Sequence, residues 1–237
     1  YDDAADRAAK RARLMADAFP PDLVRVVEGA VQTSEALLAL PFDHIFFTGS
    51  PAVGKIVMAA AAKTLASITL ELGGKSPTII GPDANLKHAA DWIVFGKFSN
   101  AGQTCIAPDH LFVHASIKEK FTGLLRERMA ISYGNKVSSA NLAQVVNTHH
   151  ADRLGRLLAD ATMKGARVIH GGDHDGTRFA PTLIEAITPE MDIGHEEIFG
   201  PILPIMAYDD LSDVIAQINA RPKPLSMYIF DKDRSRI

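Results

Sequence analysis

Short apolar runs alternate with longer amphipathic segments along the 237-residue chain. Runs rich in β-branched and aromatic residues predict buried strands, and segments whose apolar residues recur every three or four positions predict helices. The predicted strands are 23–27, 43–47, 67–72, 77–80, 111–114, 167–170, 181–187, 202–208 and 226–230. The predicted helices are 2–18, 33–40, 51–64, 86–98, 116–131, 147–164 and 211–220. This alternation indicates an α/β fold with largely parallel sheets.

Local signals set several of the predicted element ends. Pro51 suits the first position of a helix, and Gly165 suits a helix stop. Thr33 or Ser34 could cap the second helix, and Ser116 could cap the fifth. Residues 171–176 are rich in glycine and polar side chains and predict a loop.

Composition excludes several classes of function. Hydrophobic residues make up 47% and charged residues 22%, which is ordinary for a soluble globular protein. A net charge of −3 gives no basic face for nucleic acid. The apolar runs are too short to span a bilayer, and the first residues show no secretory signal. One cysteine excludes an intrachain disulfide and fits a reducing compartment, so we expect a cytoplasmic protein.

The only cysteine, Cys105, follows a run of small and polar residues, Ser-Asn-Ala-Gly-Gln-Thr. Such residues allow a tight turn that presents backbone N–H groups. A thiol placed there could act as a nucleophile, with N–H donors for a developing oxyanion. The alternative is a small buried apolar side chain, which is the commoner role of a lone cysteine.

The turn at Gly49-Ser50 joins a predicted strand to a predicted helix. The helix N-terminus would offer free N–H groups and a partial positive charge, which suits an anion such as a phosphate. The segment from Gly49 to Lys55 matches most of a P-loop, but Ile56 stands where a magnesium-binding Ser or Thr belongs. A P-loop nucleotide-binding protein therefore stays open as a second hypothesis. At this turn, the alternative to an anion site is a plain βα turn.

Two acidic segments are further candidates. Glu71 lies in an otherwise apolar strand, where a carboxylate is either paired, kept for proton transfer or exposed at the strand end. Glu197 and Phe199 share one face of an extended segment, so the carboxylate could accept from ribose hydroxyls while the ring packs on a flat heterocycle. The alternative is a turn whose Phe fills the core. With nine histidines but no HExxH spacing, we expect no metal site.

Four stretches in this order resemble the aldehyde dehydrogenase superfamily. They are Phe46-Phe-Thr-Gly-Ser50, Leu70-Glu-Leu-Gly-Gly-Lys-Ser-Pro77, Ser99-Asn-Ala-Gly-Gln-Thr-Cys105 and Glu196-Glu-Ile-Phe-Gly-Pro201. Cys-Ile-Ala-Pro-Asp109 and Pro224-Leu-Ser-Met-Tyr-Ile-Phe230 resemble the class 3-like branch, especially bacterial coniferyl aldehyde dehydrogenases.

The resemblance implies a role for each candidate residue. Cys105 would be the nucleophile and Glu71 the general base that activates the deacylating water. The remaining implied contacts are to NAD or NADP: Gly49 and Ser50 at the pyrophosphate, the Leu72 backbone and Phe199 at the nicotinamide, and Glu197 at its ribose. The implied reaction oxidises an aldehyde to a carboxylic acid through a cysteine thiohemiacetal and thioester.

The resemblance also implies how the chain is organised. Residues 1–74 would form a partial dinucleotide-binding domain and residues 75–237 a catalytic domain with its own sheet. The family's upstream segment, with the oxyanion-hole asparagine, and its last segment are not matched, so we expect a chain truncated at both ends. The parent enzyme would be a homodimer or homotetramer. An inert fragment with a binding or assembly role is the remaining alternative.

Overall fold

Two units make up the structure, a computed structural model that describes residues 4–134, 137 and 139–237. The first unit ends at Glu71 and the second begins at Leu72. The boundary expected from the sequence lies slightly later, after Gly74.

The first unit is built around a strand–helix–strand segment. Strands β1 (His44–Gly49) and β2 (Ser67–Leu72) pair in a two-stranded sheet, and the helix between them is α3 (Pro51–Thr64). Pro51 occupies the first turn of α3, and the Ser50 Oγ accepts a hydrogen bond from the Val53 N–H at 3.3 Å. The unit also contains α1 (Ala4–Ala18) and α2 (Val31–Leu38).

Three local predictions are wrong. Residues 23–27 form no strand, and Leu23, Val26 and Val27 are exposed, because β-propensity needs a neighbouring strand to pack against. Helix α2 begins at Val31, before either predicted cap residue. Ser116 does not cap the fifth helix but lies in a short 3₁₀ turn, 115–117, where its N–H donates to the His114 Nδ1 at 3.3 Å.

The second unit contains a six-stranded sheet in the order β10-β3-β4-β9-β8-β5. Its strands are β3 (Pro77–Ile80), β4 (His110–His114), β5 (Arg167–His170), β8 (Thr182–Glu185), β9 (Ile202–Tyr208) and β10 (Tyr228–Phe230). All neighbours pair in parallel except β5 and β8. The predicted α/β fold with largely parallel sheets is confirmed. The predicted loop 171–176 contains part of a small hairpin, β6 (His174–Asp175) and β7 (Arg178–Phe179).

Helices cover both faces of this sheet. Leu111 and Val113 of β4 pack in one cluster with α4 (Leu86–Phe98) and α5 (Lys118–Tyr133). Phe112 points to the other face and packs with Val214 of α7 (Leu211–Asn219). Helix α6 (Thr148–Met163) packs its apolar residues in a third cluster with β8. Strands covered on both faces are continuous apolar runs, and for this reason the pattern predicted them well.

In the described part of the chain, no helix combines the length and the apolar character needed to cross a membrane.

Candidate active site

Cys105 lies in a turn between α4 and β4, and its side chain is half-buried. The backbone immediately before it is unusual. Asn100, Ala101 and Gly102 all have positive φ, at 51°, 54° and 72°. Left-handed backbone at residues other than glycine costs free energy and is concentrated at functional sites. The turn that presents Cys105 is therefore held in place by its surroundings.

Side chains on both sides of Cys105 fix this turn. The Gln103 Nε2 donates to the Gln144 carbonyl at 3.0 Å, and its Oε1 accepts from the Val146 N–H at 2.8 Å. On the other side, the Tyr228 hydroxyl donates to the Ile106 carbonyl at 2.6 Å. The thiol stays partly exposed while the backbone around it is anchored, as a preorganised nucleophile requires.

The segment that carries Glu197 packs directly against the cysteine turn. A side chain at Gly102 would stand 2.4 Å from the Gly200 carbonyl, so the two backbones meet at this glycine. Arg153 of α6 supports the same segment, because its guanidinium donates to the carbonyls of Glu197 and Ile198 at 3.0 and 2.5 Å. The motif glycine of the cysteine turn is therefore required for close approach.

The Glu197 carboxylate lies over Gly73, where a Cβ would stand 2.2 Å from its Oε1. Burial raises the pKa of Glu197, opposed mainly by a hydrogen bond from the Gly74 N–H. Glu197 as a whole is half-buried, so it keeps part of its surface accessible. The Gly73-Gly74 pair, Glu197 and the cysteine turn thus belong to one neighbourhood within the second unit.

Phe199 extends from this neighbourhood in a strained conformation. Its φ is +45°, and 41% of its surface is exposed. A large apolar side chain held outward by left-handed backbone is available to pack on a flat ligand.

Lys75 and Asp109 form a buried ion pair beneath the site, with 2.5 Å between Nζ and Oδ1. Burial alone would raise the pKa of Asp109, but Lys75, the His110 hydrogen bond and the Lys97 charge hold that pKa well below its usual range. Asp109 is therefore ionised at neutral pH.

Lys97 is a second buried cation, on the last turn of α4, with 1% of its surface exposed. Burial lowers the pKa of Lys97 to about 8. The Asp109 carboxylate and, more weakly, Glu197 oppose this shift, whereas the Lys75 charge adds to it. The folded protein therefore gives up this proton more readily than an exposed lysine does.

Replacing Lys97 with methionine should change how stability depends on pH. Between about pH 8 and 10.5 the unfolded chain holds the Lys97 proton more tightly than the folded chain does, so wild-type stability gains from rising pH in this window. The variant lacks this gain. We expect its free energy of unfolding, relative to wild type, to fall by up to about 3 kcal/mol across the window.

Urea unfolding at a series of pH values measures this difference. Lys87→Met, at an exposed position on the same helix, is the matched control and should stay parallel to wild type. Parallel curves for Lys97→Met and wild type would contradict the buried lysine's low pKa.

An apolar cavity of about 650 Å³ adjoins the cysteine turn. Thr104 and Ile106, the two neighbours of Cys105 in sequence, both line it. Trp92 and Phe95 of α4 lie edge to face with ring centroids 6.4 Å apart and form part of its wall. The volume and lining suit an organic group of moderate size.

The remaining predicted residues lie in the first unit, except Leu72, which begins the second. Gly49 ends β1, and Ser50 caps α3. Glu71 is exposed in β2. Of the three environments considered for this carboxylate (paired, kept for proton transfer, or exposed), the structure shows the exposed one. Leu72 is the last residue of β2 and is half-buried.

The structure gives a physical reason against the P-loop interpretation. Helix α3 already begins at Pro51, so Gly54 and Lys55 lie inside the helix. A P-loop needs the residues between its two glycines in an open loop whose N–H groups surround phosphates, but here Pro51, Ala52 and Val53 are already helical. What remains is a helix N-terminus that follows a β-strand.

Sequence reasoning missed Lys75, Lys97, Asp109 and Arg153. A usable signal existed for Lys75 and Asp109. Each precedes a buried strand, and β3 and β4 pair in parallel with Pro77 opposite His110. Opposite charges ahead of two adjacent parallel strands meet at the same sheet edge. No comparable signal marks Arg153, which reaches the site from an otherwise ordinary amphipathic helix.

Comparison with known proteins assigns the family. The aldehyde dehydrogenase family model matches residues 3–237, nearly the whole chain. The chain belongs to the aldehyde dehydrogenase family. It spans about half the length of the curated relatives it matches. Neither the P-loop nor the inert-fragment interpretation gains support from this match.

Two relatives indicate the branch of this family. A probable coniferyl aldehyde dehydrogenase of Pseudomonas aeruginosa is 41% identical over 224 residues, which cover 94% of this chain and 47% of that protein. Aldehyde dehydrogenase family 3 member A2 of Mus musculus is 41% identical over 233 residues, covering 95% of this chain and 47% of that protein. They confirm the predicted class 3-like branch.

Solved aldehyde dehydrogenase structures resemble the chain closely. The substrate-bound state of Staphylococcus aureus AldH has a TM-score of 0.92 at 43% identity and covers 97% of this chain and 50% of that one. An NADP-dependent glyceraldehyde-3-phosphate dehydrogenase of Bacillus halodurans, complexed with NADP, has a TM-score of 0.88 at 33% identity, covering 96% and 48%. The predicted fold class is that of the family.

Proposed function

We propose that the protein containing this chain oxidises an aldehyde to a carboxylic acid with NAD+ or NADP+. The observation that carries the proposal is the packing of the Cys105 turn against the segment of Glu197 and Phe199, at Gly102 and Gly200. The close approach of the two backbones supports a single site that uses the half-buried Cys105, the half-buried Glu197 and the exposed Phe199.

The proposed chemistry is consistent with the residues. The Cys105 thiolate adds to the aldehyde carbon and gives a thiohemiacetal, whose oxyanion needs N–H donors. When bound, NAD(P)+ would supply the acceptor for the hydride that leaves this carbon, and Cys105 would then hold the acyl group as a thioester. Glu71 would take a proton from water as the water attacks the thioester, and the tetrahedral adduct would then expel the Cys105 thiolate and release the acid.

The cofactor contacts are also part of the proposal. Glu197 would accept hydrogen bonds from the nicotinamide ribose, Phe199 and the Leu72 backbone would lie at the nicotinamide, and Gly49 with the N-terminus of α3 at Ser50 would meet the pyrophosphate. Among the described residues, no group of three or more His, Cys, Asp and Glu side chains could hold a metal ion.

The cavity beside Cys105 supports an apolar aldehyde, of which aromatic, coniferyl-type compounds are one class. Oxidation of an aromatic and a short aliphatic aldehyde by the full-length protein, each with NAD+ and NADP+, tests this. We expect acid formation with the aromatic compound at the lower KM. Acid formation from neither compound with either cofactor would overturn the proposed activity.

The oligomeric state and the cellular location of the parent enzyme are proposed from the resemblance alone. We propose a homodimer or homotetramer located in the cytoplasm. Sedimentation of the full-length protein measures its mass in solution, and cell fractionation measures its location.

Replacing Gly73 with alanine should weaken cofactor binding. The new Cβ would stand 2.2 Å from the Glu197 Oε1, so the carboxylate must leave its place over the glycine pair. We expect the Kd for NAD(P)+, measured by calorimetry, to rise about tenfold, which corresponds to about 1.4 kcal/mol.

Gly123→Ala is the matched control for this substitution. Gly123 lies in α5 with nothing within 4 Å of an added Cβ, so the change should leave cofactor binding unchanged. It should also raise stability by up to about 1 kcal/mol through helix propensity. An unchanged Kd in Gly73→Ala would contradict the assignment of Glu197 to the cofactor.

A further inference from the structure

We propose that Lys75 and Asp109 are positioning residues that hold Glu197 in place relative to the Cys105 turn. The inference rests on the proposed function, because it takes Glu197 as a cofactor contact and Cys105 as the nucleophile.

The Lys75 ammonium contacts three acceptors from two separate segments. Its Nζ donates to the Asp109 Oδ1 at 2.5 Å, to the Ile193 carbonyl at 2.9 Å and to the Glu196 carbonyl at 2.8 Å. An ammonium group has three N–H donors, so these contacts use all of them. Lys75 thereby ties the segment after the Gly73-Gly74 pair to the segment that leads into Glu197.

Asp109 holds the backbone on the other side of Glu197, and we call Lys75 and Asp109 together the clamp. Its Oδ2 accepts from the Ile198 N–H at 2.8 Å, while its own N–H donates to the Ser76 carbonyl at 2.8 Å. The backbone groups of Glu196 and Ile198 flank Glu197, and both are fixed by the same ion pair. Asp109 lies four positions after Cys105 in the sequence, so the clamp also sets the exit of the cysteine turn.

The ion pair is well placed to act in this way because both side chains are nearly inaccessible to solvent, at 10% and 4% exposure. Removal of one partner leaves the other charge buried; loss of Lys75 also leaves two backbone carbonyls without their donor, and loss of Asp109 leaves one backbone N–H without its acceptor. The segment around Glu197 would then lose its fixed position.

The test uses the full-length protein and measures the Kd for NAD(P)+ by calorimetry, together with kcat and KM. Lys75→Met should raise Kd and the cofactor KM about tenfold or more. Its effect should be coupled to Glu197, so that Lys75→Met combined with Glu197→Gln binds within about twofold of Glu197→Gln alone. General destabilisation would instead multiply the two losses, and that outcome would overturn the proposal.

Lys118→Met is the matched control. Lys118 also forms an ion pair of 2.5 Å, with Glu185, outside the site described above. It should leave Kd and KM unchanged, and a rise equal to that of Lys75→Met would overturn the proposal. If Lys75→Met fails to fold, Asp109→Asn replaces it in the same cycle, since it removes the charge and keeps the side-chain shape.

The two hypotheses fail in different ways. A wild-type protein that turns over no aldehyde, but whose NAD(P)+ affinity shows the coupling, contradicts the proposed activity and supports the positioning role. A wild-type enzyme that turns over aldehydes normally and shows no coupling contradicts the positioning role alone.

Discussion

Cys105→Ser should lower the rate of acid formation by at least about a thousandfold, or about 4 kcal/mol in activation free energy. A serine hydroxyl in the same turn has no neighbouring base assigned to it and is a far weaker nucleophile than a thiolate. The backbone of the turn should persist, because its anchors are the side chains of Gln103 and Tyr228 and the glycine contact at Gly102. Steady-state acid formation by the full-length enzyme measures the loss.

Two controls separate lost chemistry from lost structure. Cofactor affinity in Cys105→Ser should stay within about twofold of wild type, because the groups around Glu197 are untouched. Thr104→Ser, at the adjacent half-buried position, should keep most of the activity. Turnover in Cys105→Ser close to the wild-type rate would remove this residue as the nucleophile.

Glu71→Gln should slow thioester hydrolysis by about a hundredfold or more, the range typical of a lost general base. The amide has nearly the same shape as the carboxylate but cannot take the proton from water. Acylation of Cys105 does not use this proton acceptor, so the burst of reduced nicotinamide should remain while steady turnover falls. Stopped-flow absorbance of the full-length enzyme separates the two phases.

Glu35→Gln is the control for this experiment, because Glu35 is an exposed carboxylate on α2 of the same unit. It should leave both phases unchanged. A deacylation rate in Glu71→Gln equal to that of wild type would show that another group activates the water.

Local patterns predicted those parts of the fold that depend on local chemistry. The continuous apolar runs at β3, β4 and β9 are buried central strands, and Pro51 begins α3 as its fixed φ favours. The segment 23–27 has equally good β-propensity but forms no strand. Pairing and burial of a strand are decided by distant parts of the chain, which propensity does not encode.

The candidate site divides in the same way. Cys105, Glu197 and Phe199 are candidates from the sequence because each lies in a short motif of distinctive composition. The environment of Glu71 could not be chosen from the sequence, because exposure is a tertiary property. The clamp formed by Lys75 and Asp109 was missed because its hydrogen bonds join residues far apart in the chain, and a pattern search sees only an isolated charge at each position.

The most direct test of the central claim is a rapid-mixing measurement of reduced nicotinamide in the full-length protein with an aromatic aldehyde. We predict a burst close to one equivalent per active site, followed by slower turnover, and loss of the burst in Cys105→Ser. A burst of the same size in Cys105→Ser, with unchanged turnover, would contradict covalent catalysis by this residue.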